Sequence, residues 1–290
     1  MAITASLVKE LREMTGAGMM ECKKALVEVD GDLQGAQEYL RKKGQASAEK
    51  KAGRIAAEGR VELAVGDGCA VMVEVNCETD FVAKDENFLA FTRQAAELAL
   101  ANRPDDVAAL MSIEVDGDTF EVKRNELVAK IGEKIAVRRC EIVTPKGRVA
   151  HYLHGIRIGV LVDIEGGDEQ LGKDVAMHIA ASNPDCISAD DVPAEMLENE
   201  RRILSEQAEQ EGKPAEIVAK MVAGRLRKYL GEITLLGQPF VKDPDINVGK
   251  LLQKHAATVH SFIRLEVGEG IEKKVEDFAA EVEAQVKASG

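Results

Sequence analysis

The sequence contains no tryptophan, and aromatic residues make up only 3% of it. A core built from it must rely on Ala, Val, Leu and Ile, so an isolated phenylalanine outside an apolar run is a stronger signal than it would be in an aromatic-rich chain. Basic residues are in deficit: 38 Lys and Arg stand against 51 Asp and Glu, a formal charge of −13. A phosphate backbone or an anionic lipid surface is repelled by such a chain unless a local basic stripe offsets the field, so neither nucleic acid nor membrane is expected as a direct partner. The five cysteines, Cys22, Cys69, Cys77, Cys140 and Cys186, are odd in number, scattered, and never spaced as CxxC. Neither a disulfide framework nor a zinc site follows from that spacing, and reduced thiols in a cytoplasmic protein are the expectation. No apolar run approaches the roughly 20 residues of a membrane span, and MAITASLVKE has no apolar segment of the kind a signal peptide needs. The phosphate-binding GxxxxGK[ST] pattern is missing, and Gly16-Ala17-Gly18 follows no strand, so direct nucleotide binding is not indicated.

What is present is 290 residues, 45% of them apolar, enough for more than one core. Residues 4–43 read as three short helices. Leu7, Val8, Leu11 and Met14 have helical spacing, and so do Met19, Cys22, Leu26 and Val29, then Leu33, Ala36 and Leu40. Gly16 is the expected stop of the first helix, Asp32 the expected N-cap of the third, and Gly44 its expected end. Residues 45–58 are rich in Ala and charge without an apolar face and read as a linker, with a helical linker as the alternative.

The period then changes to two. Residues 60–65 and 70–76 alternate as half-buried strands around Gly66-Asp67-Gly68, a hairpin signal. Helices are predicted near 85–101 and 121–132, and a strand over 134–143. The same order follows again: a hairpin of 148–153 and 157–164 around His154-Gly155, helices over 168–182 and 248–255, and a strand over 261–267. The ends LVAKIGEKIAVRRCEI and LLQKHAATVHSFIRLEV close the two halves, which points to an internal duplication. Residues 193–230 interrupt the second half with two amphipathic helices joined by Gly212-Lys213-Pro214. Residues 271–287 are predicted as a last amphipathic helix with Val275, Phe278, Ala279 and Val282 on one side. The fold class is therefore α+β, with an N-terminal three-helix bundle, a duplicated antiparallel-sheet core with helices, an inserted helical hairpin and a C-terminal helix. The domains expected are 1–54, 55–145, 146–192 with 231–268, 193–230, and 269–290.

Two segments invite a functional reading. Asn76-Cys77-Glu78-Thr79-Asp80-Phe81-Val82-Ala83 leaves a strand and precedes a helix. Thr79, Asp80 and Asp85 can each be read as an N-cap, and Phe81 as core. Together, an aromatic and a carboxylate on a connection also make a wedge able to fill a partner's pocket. Met19-Met20 is the second: core packing accounts for at least one of the pair, while the other suits an adaptable binding surface. His151 and His154, three apart on a strand, fall on opposite faces and are poor joint metal ligands. Cys77 as a nucleophile lacks a glycine-flanked elbow, and a buried structural thiol is the plainer reading.

Taken together, LVKELREMTGAGMMECKKAL, EVNCETDFVAK, HGIRIGVLV, DVAMHIAA, LLGQPFV and FIRLEVGEGIE, in that order, resemble the elongation factor Ts family over essentially the whole chain. The resemblance implies a ubiquitin-associated-like N-terminal bundle, a core of two related halves, a protruding dimerisation hairpin and a C-terminal helical module. It also implies a function: guanine-nucleotide exchange on elongation factor Tu in translation elongation, by displacement of magnesium and release of GDP. No enzymatic residues and no cofactor of its own are implied. Thr79, Asp80, Phe81 and Val82 match the family's magnesium-displacing segment; Met19, Met20 and His154 match further positions at the Tu contact. Pairing of two copies through residues 193–230, or a complex of two copies with two of Tu, is left open. Two rivals stand beside this reading: a module that holds ubiquitin-like or helical partners through the N-terminal bundle alone, and a cysteine hydrolase centred on Cys77.

Overall fold

A computed structural model describes residues 3–66, 68–210 and 215–272 of the chain. It mixes helices with antiparallel sheet and divides into two compact units, one of residues 1–62, 73–140 and 266–290, the other of residues 63–72 and 141–265.

The first unit begins with the bundle. Helix α1 (Ala5–Thr15) is capped by the Thr4 hydroxyl, which accepts from the Leu7 N–H at 3.2 Å, and it stops at Gly16, whose φ of 66° closes it through an N–H bond to the Arg12 carbonyl. A left-handed C-cap suits glycine because no Cβ opposes it. Helix α2 (Met19–Glu28) follows, and Asp32 caps α3 (Leu33–Lys51) by accepting from the Gln34 and Gly35 N–H groups. Val8, Leu11, Cys22, Ala25, Leu26 and Ala36 are buried between the three helices. The expected end of α3 at Gly44 is wrong: the helix continues to Lys51 through much of the segment expected as linker. Gly44 is buried because α3 crosses close to helix α6 (Phe120–Ile131) there; a Cβ on it would meet the Asn125 carbonyl oxygen at 3.4 Å. The glycine serves tertiary approach, not termination.

Strands β1 (Glu58–Gly66), β2 (Cys69–Cys77) and β5 (Ala136–Val143) form a sheet in the order β1-β2-β5. Between β2 and β5 come α4 (Glu86–Asn102), the short α5 (Val107–Met111), a two-residue hairpin of β3 (Glu114–Val115) and β4 (Asp118–Thr119), and α6. The alternation in β2 suggested one wet face, yet every residue from Cys69 to Cys77 is buried. As the central strand, β2 is covered on both faces, and its polar Glu74 and Asn76 point into a buried polar network. Phe91 of α4 stacks on Phe120 of α6, centroids 4.5 Å apart.

In the second unit, β6 (Arg148–His154) and β7 (Ile158–Glu165) pair antiparallel, with Arg148 opposite Ile164 and His154 opposite Ile158. Strand β10 (Thr258–Glu266) joins the far side of β7, giving the order β10-β7-β6. Each sheet is thus a hairpin whose second strand is central and is flanked by a strand from later in the chain. Val160, Val162 and Ile164 pack with Leu171, Val175 and Ile179 of α7 (Glu169–Ser182) and with Val248 and Leu252 of α10 (Val248–Lys254). A small hairpin of β8 (Pro239–Phe240) and β9 (Asp243–Asn247), not anticipated from sequence, precedes α10. The inserted pair is present as α8 (Ala194–Gln210) and α9 (Ala215–Ile233), held together by its own small cluster of Leu204, Ala208, Val218 and Val222. The expected C-terminal helix over 271–287 lies outside the described residues apart from its first two positions, which are not helical. No helix among the described residues is long and apolar enough to cross a membrane.

Candidate docking site

The segment singled out in the sequence leaves β2 at Cys77 and reaches α4 through one turn of 3-10 helix, Val82–Lys84. Of its three candidate caps, Asp85 is the one that caps α4, its carboxylate accepting from the N–H groups of Asn87 and Phe88. Its carboxyl is accordingly held down, since burial, which would raise it, is outweighed by the Asn87 and Phe88 bonds. That leaves Thr79, Asp80 and Phe81 with no part in capping α4. Phe81 is not core; it is 80% exposed, the most exposed of the large apolar side chains among the described residues. Phe88, seven residues on, is completely buried in α4. Val82 is half-buried and Ala83 buried, so the turn is seated by its second half and offers its first half to solvent.

The backbone of this loop is strongly restrained. The Ala83 N–H donates to the Thr79 carbonyl at 3.3 Å, Lys84 to Phe81 at 3.1 Å, and Asp85 to Val82 at 3.0 Å. At the base, the Glu133 carboxylate accepts from the N–H groups of Glu78 and Thr79, both at 3.0 Å, and from the Thr79 hydroxyl at 2.7 Å. The Asp80 carboxylate is exposed and paired with the Lys84 ammonium at 2.9 Å. That hydrogen bond lowers its carboxyl below the ordinary range, so it is anionic at neutral pH.

Cys77 lies beneath the loop and donates its S–H to the Thr79 carbonyl at 3.2 Å. Burial, together with the charges of Glu133 and Glu58, pushes its thiol up to about 12. A nucleophilic cysteine needs a thiolate, and this one stays protonated, which removes the chemical basis of the hydrolase rival. Among the described residues no group of three or more His, Cys, Asp and Glu side chains could hold a metal ion.

The second segment also differs from expectation. Core packing accounts for neither methionine: Met19 is 57% and Met20 63% exposed. Gly18 is the N-cap, so both sit in the first turn of α2, ahead of Cys22, which begins the buried stripe. Met14 and Val27 are exposed as well, and Val27 lies seven residues beyond Met20, on the same helix face. The bundle thus exposes on its surface four large apolar side chains, three of them unbranched, adaptable methionines. Both this surface and the Phe81 loop belong to the first unit. His154 belongs to the second, exposed at the end of β6, where its Nδ1 lies 3.4 Å from the Tyr152 hydroxyl; Gly155, with φ of 60°, makes the turn. Sequence reading missed Glu133 and Lys84. Lys84 stands four residues from Asp80, a spacing that signals an ion pair on a helical turn; nothing local marks Glu133, which is 54 residues from Thr79.

An exposed aromatic on a restrained loop, and exposed methionines on a helical bundle, are features suited to docking onto a partner. Comparison with known proteins makes the class specific. The family model described as Elongation factor TS matches residues 78–269. The chain is 59% identical to elongation factor Ts of Thioalkalivibrio sulfidiphilus over 293 residues, covering 100% of each chain. It is 60% identical to that of Alkalilimnicola ehrlichii over 292 residues and 59% identical to that of Halorhodospira halophila over 291, again covering 100% of each. The chain belongs to the elongation factor Ts family of translation elongation factors, a membership that implies a nucleotide-exchange role in protein synthesis.

Proposed function

We propose that this protein is the guanine-nucleotide exchange factor of elongation factor Tu in the cytoplasm, and that the loop Thr79-Asp80-Phe81-Val82 is the wedge that loosens GDP. The observation that carries this reading is Phe81: a phenylalanine 80% exposed on a hydrogen-bonded loop, in a chain with few aromatics. Held in water, that ring is unfavourable; inserted into a pocket of the partner it gains about 1.5–3 kcal/mol. The pocket is available only when the elements that grip magnesium and the β-phosphate have separated. The insertion therefore favours the empty partner over the GDP-loaded one. Magnesium is the largest local charge in a nucleotide site, and Asp80 brings a carboxylate to the vacated region once it parts from Lys84. Met19 and Met20 supply a second grip through the bundle, and His154 a further contact. No covalent step takes place on this chain.

The finer architecture belongs to the same reading. The matching order of the two sheets supports a duplicated core, and the three-helix bundle supports a ubiquitin-associated-like module. The domains proposed are 1–54, 55–145, 146–192 with 231–268, 193–230 as a hairpin through which two copies pair, and 269–290. The test is release of a fluorescent GDP analogue from elongation factor Tu at sub-stoichiometric amounts of this protein. Acceleration with turnover is expected; a release rate unchanged from that of Tu alone overturns the proposal.

A further inference from the structure

The wedge loop is fastened at its base by two carboxylates, each accepting from a backbone N–H of the other's loop. Glu133 follows Gly132, which ends α6 in the left-handed region at φ of 90° and turns the chain toward β5. One Glu133 oxygen accepts from two successive N–H groups, those of Glu78 and Thr79, and the other accepts from the Thr79 hydroxyl. In return, the Glu78 carboxylate accepts from the Lys134 N–H at 2.6 Å, next to Glu133, and from the Arg54 guanidinium at 3.2 Å. Lys134 Nζ closes the set by donating to the Arg54 carbonyl at 2.8 Å. Two loops more than fifty residues apart are thus joined by a reciprocal pair of carboxylate-to-amide bonds, a concave arrangement of N–H groups filled from within the protein.

We infer that Glu133 is a positioning residue for the wedge, fixing the direction in which Asp80 and Phe81 leave the body of the protein; the inference rests on the exchange reading above. The physical reason lies in what else could fix that direction. Phe81 is too exposed to be held by packing, the hydrogen bonds from Ala83, Lys84 and Asp85 join residues of the loop to one another, and the Cys77 thiol, a weak donor, reaches the Thr79 carbonyl from only two residues before it. Glu133 supplies the fixed end. A loop ordered before docking does not lose backbone freedom on docking, so the clamp raises the rate of assisted exchange without touching the partner.

The experiment is a double-mutant cycle on assisted GDP release from elongation factor Tu. Glu133→Ala is expected to lower the second-order rate by about tenfold, as ordering of one or two residues transfers to the docking step. Glu133→Gln is expected to recover most of it, because its carbonyl oxygen can still accept both N–H groups while its amide meets the Thr79 hydroxyl, which can accept. In a Phe81→Ala background, Glu133→Ala is expected to have a much smaller further effect, since only Asp80 is left to aim. Should Glu133→Ala lower the melting temperature, Glu133→Asp, which withdraws the carboxylate by one methylene, carries the same cycle. Wild-type protein that fails to accelerate release overturns the exchange reading and this inference with it. Active wild type with an equally active Glu133→Ala overturns this inference alone. A full additional loss in the Phe81→Ala background means a merely structural clamp, and overturns it too.

Discussion

Glu74 offers the sharpest test of how the first unit is held together. Its side chain is completely buried in the middle of β2, where a carboxylate without partners could not remain ionised. It has four donors. Arg138 approaches both oxygens at 3.2 and 3.3 Å, Arg139 Nε donates at 2.5 Å, the Asn76 amide at 3.0 Å, and the backbone N–H of Gly268 at 2.8 Å. The last of these ties down a turn 194 residues away in sequence. That turn can approach because Gly268 has φ of 75° and no Cβ; one placed there would meet the Ala57 carbonyl oxygen at 2.3 Å. Burial raises the Glu74 carboxyl, but the Gly268, Arg139 and Asn76 bonds outweigh it and leave it below 4.5.

Removing one partner of a buried ion pair costs about 3–5 kcal/mol, because the remaining charge is left uncompensated. Here the lower end applies to Glu74→Ala. Both guanidiniums are partly exposed, and both keep other acceptors, Arg138 at the Glu269 carbonyl and Arg139 at the Glu266 carbonyl. A loss of about 3 kcal/mol is expected for Glu74→Ala and about half that for Glu74→Gln, which keeps an acceptor without the charge. Urea unfolding monitored in the first unit measures it. The pH dependence supplies a second check. A depressed folded-state pKa means that Glu74 contributes stability above its unfolded value of about 4.5, and that the contribution disappears as pH falls through the lower folded value. The gap between wild type and Glu74→Gln should therefore be full at pH 7 and shrink in acid. A gap below about 1 kcal/mol at pH 7, or one that does not change with pH, would refute the reasoning.

Other perturbations test the site. Phe81→Ala should weaken binding to nucleotide-free Tu by about tenfold to a hundredfold, the burial of one ring, and leave the melting temperature unchanged, since the ring is exposed in the free protein; titration of the complex and a thermal melt settle both parts. Cys77 should resist alkylation in the native protein and react fully in denaturant, read by peptide mapping, because its thiol is buried and held protonated; rapid native labelling would mean that the loop opens. Replacing residues 193–230 by a short Gly/Ser linker should leave the rest folded, since α8 and α9 bury their apolar stripe in a cluster of their own; loss of the cooperative transition in differential scanning calorimetry would show that the hairpin is part of the core.

What could be read from the sequence follows the range of the interaction behind it. The stop of α1 at Gly16 and the capping of α3 by Asp32 are local, and both are legible. Gly44 looks the same on paper, but its absent side chain serves α6, some 80 positions on, so its helix runs past it. The alternation of β2 identifies the strand correctly and its environment wrongly, because Glu74 and Asn76, besides bonding each other, find partners beyond the strand, Glu74 in β5 and at Gly268, Asn76 at the Glu58 carbonyl. In the candidate site, the loop stands out as Asp and Phe on a connection, while its anchor at Glu133 leaves no local trace. The exposure of both Met19 and Met20 is also hidden, since helical spacing says which residues can share a face and not whether that face is covered.

An exchange factor faces a constraint that this arrangement meets in a specific way. If it weakens GDP on its partner by some factor, GDP must weaken its own binding by the same factor. Contacts made equally to the loaded and the empty partner contribute affinity but none of that coupling. On the proposed reading, the methionine face of the bundle is of the first kind, a grip that brings the two proteins together in either state. The wedge is of the second kind, since its pocket exists in only one state. Coupling then depends on how much of Phe81's burial remains after the loop has been ordered. A free loop would spend much of that gain on ordering, and the coupling would fall with it. A chain with few aromatics that leaves one almost fully in water, on a backbone fastened by Glu133 and Glu78, retains nearly all of it.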